Sequence, residues 1–292
     1  MSLKFSNYYG TKPLTIYNVT IAKSLGDSKV DTKTYSVLFD GSPEVTIPEG
    51  KECYSDPVTY PVRAQEDIAI SIYIKDYQDI KSMGLSGGQT YLTMGDATRA
   101  ADFNLLAGFV DNEQVVKLLG KFLNTNFELG LEYSFIKVVP CLATIDVLSN
   151  DSAYSVVVIG DSTVSNEFPL YLSQAIYENE GVANIGIVGK GIIGNRLLGD
   201  GLGYGSLLFG DSMIKRFQRD VLAQSGVEYV IVKIGANDII HPVCDDIMEE
   251  YPGITQPTAQ DIINGYKKIF EACHDVAITF IPTSWQASKI FL

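Results

Sequence analysis

Three short segments of the sequence carry side chains whose types and spacing suit acyl-transfer chemistry. Gly160-Asp161-Ser162-Thr163 offers a hydroxyl nucleophile directly after an apolar run, with a glycine that permits a sharp exit from a strand. Ser162 would then stand just before a helix N-terminus, where backbone N–H groups favour a developing oxyanion. A plain helix N-cap is the other role for a serine in that place. The second segment, Gly189-Lys190-Gly191-Ile192-Ile193-Gly194-Asn195-Arg196, has the glycines that let a backbone N–H come close to a reacting centre. The third, Gly235-Ala236-Asn237-Asp238, places a side-chain amide where it can donate to an oxyanion without a charge, although Asn-Asp is also ordinary turn chemistry. The conjunction matters more than any one segment.

The second segment is also a formal Gly-x-Gly-x-x-Gly, with Asp211 at roughly the spacing of a ribose-binding acid. A dinucleotide site needs that loop to open a helix at once. Here it continues as Leu197–Gly205 (LLGDGLGYG), too rich in glycine for a stable helix. No Gly-Lys-[Ser/Thr] phosphate loop is present either.

These segments need a scaffold that brings three loop starts together. Tyr154–Ile159, Val182–Val188, Val227–Ile234 and Val276–Ile281 are continuous apolar runs, the pattern of strands buried on both faces of a parallel sheet. Helical periodicity lies between them: Phe168, Leu172, Ala175 and Ile176 share one face, as do Met213, Ile214, Phe217, Val221 and Leu222. A third set is Ile262, Tyr266, Ile269 and Phe270. Strand–helix alternation predicts a doubly wound, flavodoxin-like α/β domain, in which Ser162, Gly191 and Asn237 fall on one rim of the sheet.

Before residue 150 the pattern differs. Leu14–Ala22, Tyr35–Phe39, Glu44–Ile47 and Ile68–Ile74 are short and rich in Val, Ile, Thr and Tyr, separated by Gly26-Asp27, Asp40-Gly41-Ser42-Pro43 and Pro48-Glu49-Gly50. This predicts an antiparallel β-sandwich over 1–150 and the α/β domain over 151–292, joined in the polar stretch Leu148–Ala153. Asn112–Leu123 reads as a helical turn or an insertion. The sandwich aromatics Tyr8, Tyr9, Tyr54 and Tyr60 suit sugar stacking or core packing.

The 292 residues carry a net charge of −13, spread as −6 over 1–152 and −7 over 153–292. No basic stripe faces a phosphate backbone, so nucleic acid is not an expected partner. No apolar run approaches the roughly 18 residues of a membrane span, and MSLKFSNYYG lacks a signal-peptide core, so the default expectation is a soluble, cytoplasmic chain. Cys53, Cys141, Cys244 and Cys273 show neither zinc-site spacing nor a disulfide framework and read as buried thiols.

The ordered set VIGDS, GKGIIGN and IGAND resembles the first three sequence blocks of the SGNH (GDSL-type) hydrolases. Gly191–Leu198, Arg216–Gln224 (RFQRDVLAQ) and IGANDIIHP look like bacterial members with an N-terminal β-sandwich, as does FSNYYGTKPLTIYNVTIA. The resemblance implies Ser162 as the nucleophile, with the Gly191 N–H, the Asn237 side chain and the Ser162 N–H as oxyanion donors. It implies an acyl-enzyme route on small or carbohydrate-linked acetyl esters, without metal or organic cofactor. Asp161, Asn195 and His241 would lie at the substrate.

The family's fourth block, Asp-x-x-His after a fifth strand, supplies the base and its orienting acid. Pro282–Leu292 (PTSWQASKIFL) lacks that continuation, so the chain reads as a C-terminally truncated relative with the fifth strand missing. Asp238-Ile239-Ile240-His241 has the spacing but directly follows the Asn block, and His274 is expected on the opposite side of the sheet. The resulting expectation is a poor esterase or a catalytically silent carbohydrate- or partner-binding relative, with the fourth strand as an exposed apolar edge.

Overall fold

The computed structural model describes residues 1–76, 78, 80–91, 93, 95–103, 135–165, 167–180, 184–201, 209–250 and 253–283. The expected helical turn or insertion at 112–123 lies outside them, as does most of the 282–292 tail. The chain divides into two compact units, Met1–Leu148 and Ser149–Leu292.

In the first unit the Val/Ile/Thr/Tyr-rich segments form short strands, paired antiparallel throughout. They are β1 (Ser2–Ser6), β2 (Leu14–Ile16), β3 (Asn18–Lys23), β4 (Tyr35–Val37), β5 (Val45–Ile47), β6 (Glu52–Tyr54), β7 (Ile68–Tyr73), β8 (Met83–Tyr91), β9 (Phe135–Pro140) and β10 (Leu142–Asp146). Among the described residues they make small sheets rather than two continuous ones: β10-β1-β6, β4-β3-β7, β2-β5 and β8-β9. Strands of three residues end too soon to run on, and Asp27, Asp40 and Gly41 in the left-handed region turn the chain between them. Alternate residues still meet in one apolar core: Leu3 and Phe5, Leu14 and Ile16, Val19 and Ile21, with Val37, Phe39 and Ile47.

In the second unit four parallel strands follow the sequence pattern. They are β11 (Tyr154–Gly160), β12 (Ile185–Gly191), β13 (Val227–Lys233) and β14 (Thr279–Pro282), in the spatial order β12-β11-β13-β14. The connections are α1 (Ser162–Ser165) and α2 (Phe168–Glu180) after β11, and α3 (Met213–Phe217) after β12. Beyond β13 come α4 (Ala236–Ile240), α5 (Asp245–Glu250) and α6 (Ala259–His274). The order reverses at β11, and right-handed crossovers therefore put helices on both faces, with the switch point between the β11 and β13 ends. Val157, Ile159, Val230 and Val232 share a core with Met213, Phe217 and Val221 of the α3 region and with Ile269 and Cys273 of α6.

Three sequence expectations shift. The second parallel strand, expected over Val182–Val188, is Ile185–Gly191, so Gly191 closes the strand instead of standing in the loop after it. α2 leaves Phe168 exposed and buries Leu172 only in part, so the predicted apolar face is narrower than its sequence. The run Val276–Ile281 contributes a strand only from Thr279. Ile278 N–H donates to Cys273 O (2.9 Å) and Ala277 takes φ +59°, closing the end of α6 before the strand begins. No helix among the described residues is long and apolar enough to cross a membrane.

Candidate active site

The strand register sets the geometry. Gly160, the last residue of β11, pairs with Gly191 on β12 and with Lys233 on β13, so three strands end level. Ile192 N–H donates to Gly160 O (3.0 Å) and Asp161 N–H donates to Lys233 O (3.3 Å), which carries the alignment past the strands into the loops. Both glycines are dictated by close approach. A Cβ at Gly160 would meet the Lys233 carbonyl and Val164 Cγ2 (2.6 Å). A Cβ at Gly191 would lie 2.5 Å from Ser165 N and 2.6 Å from Val164 C, both backbone atoms of α1. The turn that starts at Ser162 therefore rests directly on Gly191.

Ser162 is exposed and is the first residue of α1 rather than the residue before it. The capping role falls to Asp161, whose Oδ1 accepts from Thr163 N–H (2.9 Å) and Thr163 Oγ1 (2.7 Å). The Ser162 hydroxyl is thereby relieved of the N-cap work that the sequence left open to it. Buried Val164 and Ser165 anchor the turn behind it.

Asn237 is the second residue of α4 and half-buried. Its Nδ2 donates to Asn195 O (3.0 Å), which fixes the plane of the amide while using one of its two hydrogens. Next to it Asp238 is buried and clamps the loop after β12, with Oδ2 accepting from Leu197 N–H (2.7 Å) and Oδ1 from Leu198 N–H (3.0 Å). Burial pushes this carboxyl above the usual range, against the pull of those amides and of Arg196.

Two expected substrate contacts are corrected by burial. Asp161 is sealed in the interior as a cap. Asn195 is 0% exposed, and its Nδ2 donates to Phe209 O (2.7 Å) and Asp211 O (2.8 Å) while its Oδ1 accepts from Arg216. These contacts make it a brace inside the loop, since each polar atom of the amide already has a protein partner. His241 is 7% exposed at the start of a 3-10 turn after α4, its ring 5.6 Å from that of Phe209 at 36°. Burial and then the Arg196 charge lower its pKa, so it is a neutral imidazole at pH 7. The Asp238-x-x-His241 spacing does not form an acid–base pair, because Asp238 faces the loop amides. His274 is exposed at the end of α6, beside Phe270, where the chain enters β14 on the side of the sheet away from Ser162.

Sequence reasoning missed Arg216 as an individual residue. It is 1% exposed, and its guanidinium reaches Gly160 O (3.1 Å), Lys190 O (2.8 Å), Asn195 Oδ1 and Asp220 Oδ2. The available signal is a cation on an otherwise apolar helix face, three residues after Met213 and adjacent to Phe217. Asp220 is its counter-charge. Burial alone would raise that carboxyl, but Arg219 and Arg216 hold it below the usual range. Tyr266 OH donates to Ile234 O (2.8 Å) and ties α6 to the end of β13.

Cys141 and Cys273 are buried thiols as expected, whereas Cys53 and Cys244 are only half-buried. Burial pushes Cys53 and Cys273 up to about 11 and Cys141 up to about 12. Among the described residues no group of three or more His, Cys, Asp or Glu is placed to hold a metal ion. In the first unit Tyr8 and Tyr9 meet edge to face at 5.0 Å and are exposed, whereas Tyr60 packs on Tyr35 and donates to Glu66. Tyr54 is exposed beneath the Lys4 ammonium.

The class these features define is a mixed α/β protein with a four-stranded parallel sheet, preceded by small antiparallel sheets. No known family profile and no curated protein matches the sequence. Among solved structures, the chain is similar to an acetyl xylan esterase, AlAXEase, at 18% identity and a TM-score of 0.32, over 44% of this chain and 56% of that one. It is similar to a variant of Axe2, an acetyl xylan esterase from Geobacillus stearothermophilus, at 19% identity and a TM-score of 0.33, over 45% and 59%. LAE5, an alpha/beta hydrolase enzyme from the metagenome of Lake Arreo, Spain, is similar at 15% identity and a TM-score of 0.34, over 44% and 60%. The chain thus spans between 56% and 60% of the length of these structures.

Proposed function

We propose that this chain is a serine-dependent carboxylic-ester hydrolase of the SGNH type, built as an accessory β-sandwich over 1–150 and an α/β domain over 151–292. The observation that carries the reading is the level ending of three adjacent strands, which gathers an exposed Ser162, Gly191 and the fixed amide of Asn237 at one rim. In this reading Ser162 Oγ attacks the ester carbonyl as its proton passes to a base, the His241 imidazole or a water molecule, and the carbonyl oxygen becomes an oxyanion. The N–H groups of Ser162 and Gly191 and the Asn237 amide donate to it, each donor contributing on the order of 10²–10³ in kcat. Collapse expels the alcohol, which takes up that proton, and leaves an acyl group on Ser162; water then adds to it, releasing the carboxylic acid and restoring the serine hydroxyl. The substrate class is small esters, with carbohydrate-linked acetyl groups the first to try. The α1 helix is too short to add much dipole, so the amides themselves do the stabilising.

A second reading, a catalytically silent relative that binds carbohydrate or a partner, is favoured by the way Asp238 is used. Its two oxygens hold Leu197 and Leu198, and His241 stacks on Phe209 instead of facing a carboxylate among the described residues. A serine site without its base retains only about 10³–10⁴ of rate enhancement over water. The test is labelling with a fluorophosphonate probe beside hydrolysis of p-nitrophenyl acetate. Labelling that is lost in Ser162→Ala supports an activated serine, and turnover that is also lost in His241→Ala assigns that imidazole as the base. A chain that neither reacts with the probe nor hydrolyses the ester overturns the hydrolase reading.

A further inference from the structure

Arg216 is the largest fully buried side chain among the described residues. A guanidinium stays charged at any ordinary pH, so its burial requires a counter-charge and an acceptor for each N–H. Both are present. Nη1 donates to Asp220 Oδ2 (3.0 Å) and Lys190 O (2.8 Å); Nη2 donates to Gly160 O (3.1 Å) and Asn195 Oδ1 (2.9 Å); Nε donates to Asn195 Oδ1 (3.1 Å). Five hydrogens meet five acceptor contacts.

The places of those acceptors carry the inference. Gly160 lies two residues before Ser162, and Lys190 immediately precedes Gly191. Asn195, whose side chain the guanidinium holds, accepts the Asn237 amide on its own carbonyl. Only Asp220 lies away from the rim. We propose that Arg216 is the positioning residue of the rim: one planar fork sets the spacing between the Ser162 loop, the end of β12 and, through Asn195, the Asn237 amide. An ammonium on a flexible stem has three donors and no fixed plane, so Lys cannot span the same acceptors. Arg216 touches no substrate and acts through the groups it holds. Its catalytic consequence rests on the hydrolase reading, whereas the placement of Asn237 is measurable without it.

The experiment uses the full chain as wild type, Arg216→Lys, Asp220→Asn and Asn195→Ala, each checked by circular dichroism and thermal melting. Two signals are read: the rate of fluorophosphonate labelling at Ser162, and the Asn237 side-chain ¹H–¹⁵N pair, assigned by its loss in Asn237→Ala. A misplacement near 1 Å costs about 100-fold, so folded Arg216→Lys is expected to label roughly 10- to 100-fold more slowly and to shift the Asn237 pair. Asp220→Asn removes the counter-charge but no rim contact, and is expected to lower the melting temperature while leaving the Asn237 pair in place. Wild-type labelling in folded Arg216→Lys, or equal effects of Arg216→Lys and Asp220→Asn on the Asn237 pair, overturns the proposal. If Arg216→Lys does not fold, Asn195→Ala takes its place with the same two outcomes. If the wild type is neither labelled nor active on p-nitrophenyl acetate, the hydrolase reading fails, and the Asn237 pair alone decides: moved in the variant it supports the bracing, unmoved it overturns it.

Discussion

Gly191→Ala separates a rim held by close packing from one that merely happens to contain a glycine. The added Cβ would lie 2.5 Å from Ser165 N and 2.6 Å from Val164 C, about 0.9 Å inside the 3.4 Å at which ordinary contact begins. Both neighbours are backbone, so no rotamer change relieves the clash, and either α1 or the end of β12 must move by nearly that distance. Overpacking of this kind costs about 1–3 kcal/mol. For a unit of this size each kcal/mol lowers Tm by about 2–4 °C, which gives a fall of roughly 2–12 °C. The same shift displaces Ser162 from the donors proposed for its oxyanion, and labelling by a fluorophosphonate is expected to slow by about 100-fold. Gly186→Ala is the internal comparison. It lies on the same strand, but its Cβ would stand 3.5 Å from Ser155 Oγ, an ordinary contact. Its stability is expected within about 0.5 kcal/mol of the wild type. Scanning calorimetry and timed labelling of both variants provide the assay. If Gly191→Ala melts and labels as Gly186→Ala does, α1 does not rest on Gly191 and the packing argument is wrong.

Two further predictions concern the neighbours of Asn237. The depressed pKa of His241 means that the unfolded chain takes up this proton first, near pH 6.5, so stability is retained above that pH and lost as pH falls toward the folded value. His241→Gln should flatten the fall of Tm as pH drops below about 6.5, and a profile unchanged by the substitution refutes the assignment. Asp238→Ala removes the acceptor of both Leu197 and Leu198 N–H, and a stability loss of about 2–5 kcal/mol is expected. Hydrogen exchange at those two amides should accelerate with it; unchanged protection would show that the loop does not depend on the clamp.

The parts of this molecule that are local in sequence were the parts that could be read from it. Apolar runs located β11 and β13, and glycine-punctuated Val/Ile/Thr segments located β2 to β5 and β7, but not β1, β6, β8, β9 or β10. α6 announced itself by its periodicity alone; the structure adds a reciprocal capping box of Thr258 and Asp261 at its start. The start of β14 was misjudged because the left-handed residue that ends the α6 turn is Ala277, not the glycine that usually marks such a stop. A run of apolar residues cannot show that its first members serve a helix end and only its last members a strand.

The site divides along the same line. The placement of the proposed site residues Ser162, Gly191 and Asn237 at or just beyond the ends of strands was legible, because such a place is defined by a few adjacent residues. What holds them was not, because it is assembled from partners distant in sequence: Arg216 and Asn195 are 21 residues apart, Arg216 and Gly160 are 56 apart, and Asn237 and Asn195 are 42 apart. Asn195 shows the cost of reading type without partner. A polar side chain in a glycine-rich loop suggests a ligand contact, yet here it answers a buried cation on α3. The cation is the decisive fact: an arginine carried into the apolar face of a helix requires acceptors, and the level strand ends supply carbonyls at the required places. Burying one charge thus does two things at once, since the contacts that satisfy Arg216 are the ones that fix the distances between the residues at the rim.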